Sequence, residues 1–150
     1  MQGHSHVAFL GWGYLAIIYG IFKLFIPKEK RDLPIYKVTL TIIITTITLM
    51  LFSFISSGYK AFSIVLLSAF GVATYVLSFR ILKDIKGSDT STNLVKYGIY
   101  YYLISSLATW FLAFVIVTQG KTDLYYNSVY FYLHFLYNGF FVFSLFRFST

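Results

Sequence analysis

Apolar residues along this chain gather into five long runs separated by short polar connections. The runs are His6–Ile26, Tyr36–Ser57, Phe62–Leu82, Tyr97–Thr118 and Leu124–Phe146. A helix that crosses a bilayer takes about 20 residues, and each run supplies them. A strand is the competing reading of Ile- and Thr-rich stretches such as Thr39–Leu49. Helix is favoured, because in lipid every backbone N–H and C=O must be bonded within its own segment or within a closed barrel. Barrel strands would be about 10 residues long and would alternate apolar with polar positions. No such alternation is present. The connections suit hairpins between helices. PKEKRDLP (Pro27–Pro34) is a basic linker with a Pro at each end, and SSGYK (Ser56–Lys60) is a tight turn with Gly58. QGKTD (Gln119–Asp123) closes the last hairpin, and KDIKGSDTSTN (Lys83–Asn93) is the one connection with a disordered composition. The pattern predicts an all-α integral membrane protein, a five-transmembrane-helix bundle forming a single domain over residues 1–150.

Composition sharpens this reading. Charged residues are 11% of the chain, where a soluble domain carries about 25%. Hydrophobic residues reach 58% and aromatic residues 22%, and mean hydropathy is +0.73. These values exclude a soluble enzyme, a disordered tail and a nucleic-acid-binding module. The absence of Cys excludes a disulfide framework, thiolate metal sites, iron–sulfur clusters and thiol catalysis.

The net charge of +7 is distributed unevenly. Lys23, Lys28, Lys30, Arg31 and Lys37 flank the first connection, Arg80, Lys83, Lys86 and Lys96 flank the third, and Arg147 follows the last run. Only Lys60 and Lys121 belong to the other side. Lys and Arg accumulate on the cytoplasmic side of membrane proteins. The N-terminus is therefore expected outside and the C-terminus inside, in the cell (inner or plasma) membrane. The partner implied is the lipid bilayer, with anionic lipid within reach of the basic side. A signal peptide is not expected, because no basic residue precedes the first apolar run and no A-x-A pattern follows it. No acidic residue falls within any of the five runs, which argues against a transporter with a carboxylate relay. The Thr and Ser residues inside the runs read as helix-packing positions. No nucleotide loop, HExxH or GxSxG is present, and whether the chain is an enzyme stays open.

The three His carry the functional signal, since His inside a membrane usually marks a site. His4 and His6 open the first run. Two residues apart on a helix is a rotation of about 200°, so if both are helical the pair points to opposite faces, where it cannot bind one metal but could serve two neighbouring sites. In a frayed first turn the same two would chelate one ion or stand in water. His4 does not occupy the third position that the free-amine copper motif needs. His134 lies within the fifth run, with Tyr130, Tyr137 and Asn138 one turn away and Asn127 two turns back. That polar stripe, on a helix otherwise apolar, is expected to face protein or a cavity. Two readings of His134 stand. It is an inter-helix hydrogen bond that holds the bundle, or a metal or haem ligand whose ring is oriented by a neighbouring polar group.

GHSHVAFLGWGYLAIIYGIFKLFIPKE (Gly3–Glu29) resembles the His-bearing helix near the end of the catalytic subunit of haem–copper oxidases, most of all in C-type oxidases and nitric oxide reductases. There an H-x-H pair opens a helix at the outer membrane face, a Gly- and aromatic-rich run follows, and the exit is Pro and basic. The resemblance implies that His4 would ligate one haem and His6 another. The family repeats its His-bearing helices every fourth span, so YLHFLYNGFF (Tyr132–Phe141) would supply a further ligand, His134. Tyr130, Tyr137 and Asn138 would be its orienting neighbours. The implied cofactor is haem b, with copper as a lesser alternative, and the implied role is electron transfer or the sensing and handling of a gas such as nitric oxide or oxygen. The family core has about twelve helices and six His, so one copy of this chain does not complete a binuclear site. A homo-oligomer, additional membrane subunits or a longer chain is therefore expected. Two other classes remain: a cofactor-free structural or assembly subunit of a membrane complex, and a small transporter.

Overall fold

A computed structural model describes residues 11–56, 61–87, 89–120 and 122–148. Among these residues every regular element is helical and there is no strand. The chain divides into two compact units, Met1–Lys86 and Gly87–Thr150.

In the first unit, α1 (Tyr14–Phe25) buries Tyr14, Ile17, Ile18 and Ile21, the i, i+3, i+4, i+7 stripe of one helix face. It stops where Pro27 forces Ile26 into an extended conformation, φ −90° and ψ 126°. Arg31 then closes the helix end. Its Nε donates to the Ile26 carbonyl at 2.9 Å, and a terminal guanidinium nitrogen donates to the Lys23 carbonyl. A cation on orphan carbonyls at a helix C-terminus is favourable in both hydrogen bonding and dipole. The basic linker contains a single helical turn, α2 (Lys28–Arg31).

The hairpin α3 (Pro34–Ser56) and α4 (Ala61–Asp84) forms the body of this unit. Pro34 opens α3, where a missing N–H costs nothing. The buried face of α3 carries Tyr36, Thr39, Ile43, Thr46, Ile47, Met50 and Ser53, and α4 buries Phe70, Thr74, Leu77 and Ile81. Aromatic edges tie α1 to both helices: Phe22 to Tyr36 at 5.0 Å and Tyr14 to Phe70 at 5.9 Å between ring centroids. The buried threonine hydroxyls are satisfied locally. Thr39 donates to the Ile35 carbonyl, Thr46 to Ile42 and Thr74 to Gly71. That is how helices carry hydroxyls at packed faces without an unpaired donor. The segments Pro34–Ser53 and Val65–Asp84 are long and apolar enough to cross a membrane, and Gly11–Phe25 is a shorter apolar helix.

In the second unit, α5 (Thr90–Thr118) starts well before the expected Tyr97. Asp89 is the reason. Its carboxylate accepts from the Thr92 backbone N–H at 3.3 Å and from the Thr92 hydroxyl at 2.5 Å, which caps the helix. The expected disordered loop over Lys83–Asn93 is thus corrected at both ends: α4 runs through Asp84 and α5 begins at Thr90. Gly87 makes the turn with φ +126°, a conformation that favours glycine, and its carbonyl accepts from Lys96 Nζ at 3.0 Å.

The last run is one continuous helix with a change of winding. It comprises α6 (Asp123–His134), a π-helical segment Phe135–Phe141, and α7 (Val142–Phe148). All three parts pack along α5. Near the change of winding the Ser105 hydroxyl donates to the Tyr132 carbonyl at 3.1 Å. Two glycines bring these helices close. Gly139 lies against Tyr101, and Gly98 against Ser144.

Candidate functional site

His134 is the last residue of α6, where α winding gives way to π winding. Its ring is held by its own helix: Asn138 Nδ2 donates to His134 Nδ1 at 3.1 Å. An amide has a donor and an acceptor on one carbon. Turned over, Asn138 would accept from a protonated Nδ1 and leave Nε2 as the free lone pair. With the amide as placed, Nδ1 accepts and Nε2 carries the proton, so the tautomer that a metal ligand needs requires the amide turned over. π segments occur often at functional sites, and this one carries Tyr137 and Asn138.

Tyr130, Phe131, Leu133, Phe135, Tyr137 and Asn138 surround His134 in an open, largely apolar groove of about 680 Å³. It is open over most of its extent and lies on one helix. The structure thus brings together four of the expected site residues: Tyr130, His134, Tyr137 and Asn138. Their orientation differs from the simplest expectation. Tyr130 is 69% exposed, and His134 and Asn138 are exposed as well, so the stripe lines an open groove on one helix rather than a packed interior. Asn127, two turns earlier, borders a smaller cavity with Leu107, Phe111 and Ser128 instead. The other two expected ligands, His4 and His6, lie outside the described residues. Among the described residues no group of three His, Cys, Asp or Glu side chains converges on one point.

The groove suits a flat, mostly apolar group held by one imidazole. Tyr130 and Phe131 line it, and Phe135 packs edge-on to the imidazole with centroids 5.5 Å apart. A haem fits the donor chemistry of His134 with Asn138 as the orienting partner. His134 is the only imidazole among the described residues that line this groove.

A second polar constellation escaped the sequence reading. Asp84, in the last turn of α4, has a side chain only 2% exposed. Lys30 Nζ lies 2.6 Å from Oδ1, Arg80 Nε lies 2.9 Å from Oδ2, and the Tyr36 hydroxyl donates to Oδ2 at 2.8 Å. The expectation that no acidic residue falls within a span is corrected here, because the apolar helical segment Val65–Asp84 ends on this carboxylate. A carboxylate this buried is tolerated only with charge partners and filled hydrogen-bonding positions. Arg80 is one turn before Asp84 on the same helix, whereas Lys30 and Tyr36 come from α2 and α3. The Arg-x-x-x-Asp spacing was the available signal. The reading of Lys83–Asn93 as a connection of disordered composition hid it.

Comparison with family models, with curated proteins and with solved structures gives no match.

Proposed function

We propose that this chain is a multi-pass membrane protein that binds b-type haem through His134 and acts in electron transfer or in the handling of a gas such as nitric oxide or oxygen. The observation that carries the haem reading is the exposed imidazole of His134, held at Nδ1 by Asn138 and walled by aromatic rings. The membrane reading draws on exposed apolar surface. On α3, Val38, Ile44 and Phe52 are exposed by half or more of their surface, beside the exposed Thr41, Thr45 and Thr48. Large apolar side chains exposed along one helix suit lipid better than water. The charge asymmetry orients the chain with its N-terminus outside.

His134 would hold the iron, Asn138 with its amide turned over would orient the ring, and Tyr130 and Phe131 would lie beside the group. Haem iron would supply one-electron transfer or gas binding there. The chain lacks C-x-x-C-H, so attachment would be non-covalent. His4 and His6 would be further ligands, and a homo-oligomer or added subunits would complete the site.

The test is a reduced-minus-oxidised visible spectrum of protein purified from haem-replete cells. A sharp α-band is expected, with loss of at least nine-tenths of it in His134→Ala. Asn138→Ala should keep the band and weaken haem retention about 10-fold or more, the usual size of an effect from a residue that orients a ligand. Colourless wild-type protein after haem supplementation would sink the reading. A structural or assembly subunit then takes its place, which the exposed Tyr126, Tyr130 and Phe131 on the same helix favour as a surface for partner helices.

Orientation has its own measurement. Cysteines placed at Gln2 or Gly120 should react with an impermeant thiol reagent added to intact cells, and cysteines at Glu29 or Ser88 should not. Reversed labelling would turn the chain over and put His134 nearer the inner face.

A further inference from the structure

We propose that the basic end of α4 binds the phosphate headgroup of an anionic phospholipid, with Arg80 and Lys83 as its ligands and the outer stripe of α4 as the seat of one acyl chain. The proposal rests on the membrane reading above. Val72, Val76, Phe79 and Lys83 follow one another at i, i+4, i+7 and i+11, so they form a single stripe along α4. Val72 is 55% exposed, Val76 43% and Phe79 62%, and Lys83 is exposed. The stripe is apolar over three positions and ends on a cation. Its length from Val72 to Lys83 is about 16 Å at 1.5 Å per residue. One leaflet of a hydrocarbon core is about 15 Å thick. An apolar strip of leaflet length with positive charge at one end has the shape and polarity of a phospholipid, and a soluble phosphate compound would leave the strip unused.

The cation end is wider than Lys83. Arg80 lies one turn away on the same helix and keeps 31% of its side chain exposed while its Nε faces Asp84. A guanidinium has five N–H donors, more than one carboxylate oxygen can take up. Lys30 and Arg80 share the single carboxylate of Asp84, so the cluster keeps one positive charge in surplus. Surplus charge, a forked donor and a flexible ammonium at one point match a phosphodiester.

The test uses the full chain in nanodiscs and in neutral detergent, with bound lipid counted by native mass spectrometry. Phosphatidylglycerol should bind at least tenfold tighter than phosphatidylcholine. Lys83→Gln should lower that preference about fivefold, the equivalent of ~1 kcal/mol for a basic residue at an anionic surface. Lys83 takes no part in the buried ion cluster, so the variant should fold normally. Lys37→Gln is the control: Lys37 is exposed and paired with Asp32 at 2.9 Å, and its loss should leave the preference unchanged. Equal binding of the two lipids overturns the proposal. An equal effect of Lys37→Gln overturns it too, because the attraction would then be diffuse. Displacement of phosphatidylglycerol by millimolar inorganic phosphate also overturns it, since the acyl stripe would have no role. Alkaline carbonate extraction of membranes separates this from the reading beneath it. A chain released into the supernatant sinks the membrane reading, and a chain retained with no lipid preference sinks only the lipid site.

Discussion

Removing the two cations around Asp84 is expected to destabilise the protein more than removing Asp84 itself. The asymmetry follows from burial. Asp84 is 2% exposed, whereas Lys30 and Arg80 are 34% and 31% exposed. In Asp84→Asn the freed ammonium and guanidinium swing a short way into water, and the amide still accepts from the Tyr36 hydroxyl. The loss is then that of charge-assisted hydrogen bonds, about 1–3 kcal/mol. In the double variant Lys30→Gln with Arg80→Gln, the carboxylate keeps the Tyr36 hydroxyl and loses both cations. A buried ion stripped of its partners costs about 3–5 kcal/mol. Adding Asp84→Asn to the double variant should recover most of that loss, because the unpaired charge is then gone. Thermal midpoints in one detergent check the order of the three variants. If Asp84→Asn melts as low as the double variant, or if the triple variant recovers nothing, Asp84 is not the buried member on which the cluster depends.

The helices were legible because hydropathy reports them directly. Where they are described, the apolar runs are helical, and the α1 stripe of Tyr14, Ile17, Ile18 and Ile21 is the kind of periodicity that sequence displays. Helix ends were less legible. Asp89 and Thr92 extend α5 backwards through a polar first turn that hydropathy scores as loop, since a cap acts through two hydrogen bonds and not through apolar surface. Asp84 was lost for the related reason that a charged residue at a helix end looks solvated until a cation from another element is seen beside it. The His134–Asn138 pair was legible from its i, i+4 spacing. The π segment was not. The spacing of His134, Tyr137 and Asn138 fits ordinary α winding, so nothing in Phe135–Phe141 marks the wider turn. Exposure of His134 was equally hidden, because a polar stripe on an apolar helix has the same spacing whether it meets a protein neighbour or an open groove.

Gly139→Ala is the single substitution expected to do most damage in the second unit. A Cβ built on Gly139 falls 2.5 Å from Tyr101 Cβ and 2.7 Å from its Cγ, where carbon atoms in contact sit about 3.5–4.0 Å apart. Tyr101 Cβ is bonded to the α5 backbone and has no rotamer that moves it away. The π segment and α5 must therefore separate, and a loss of about 3 kcal/mol is expected, at the upper end of ordinary overpacking. Gly98→Ala is the contrast. Its Cβ meets the Ser144 hydroxyl oxygen at 2.9 Å and the Phe140 carbonyl at 3.6 Å. A serine hydroxyl turns aside by rotation about one bond, so about 1 kcal/mol is expected there. Tyr101 provides the decisive pair of rescues. Tyr101→Ala keeps its Cβ and should not restore Gly139→Ala, whereas Tyr101→Gly removes the clashing atom and should recover part of the lost stability despite the lost ring contacts with Phe135 and Phe143. Asn138 is the chain neighbour of Gly139, so Gly139→Ala should also displace the amide from His134 and lower the absorbance of any haem held there. Thermal melts of the single and paired variants give the answer. A Gly139→Ala protein that melts within a degree or two of wild type would mean that α5 and the π segment do not approach at Tyr101, and the register assigned to Phe135–Phe141 would have to be redrawn.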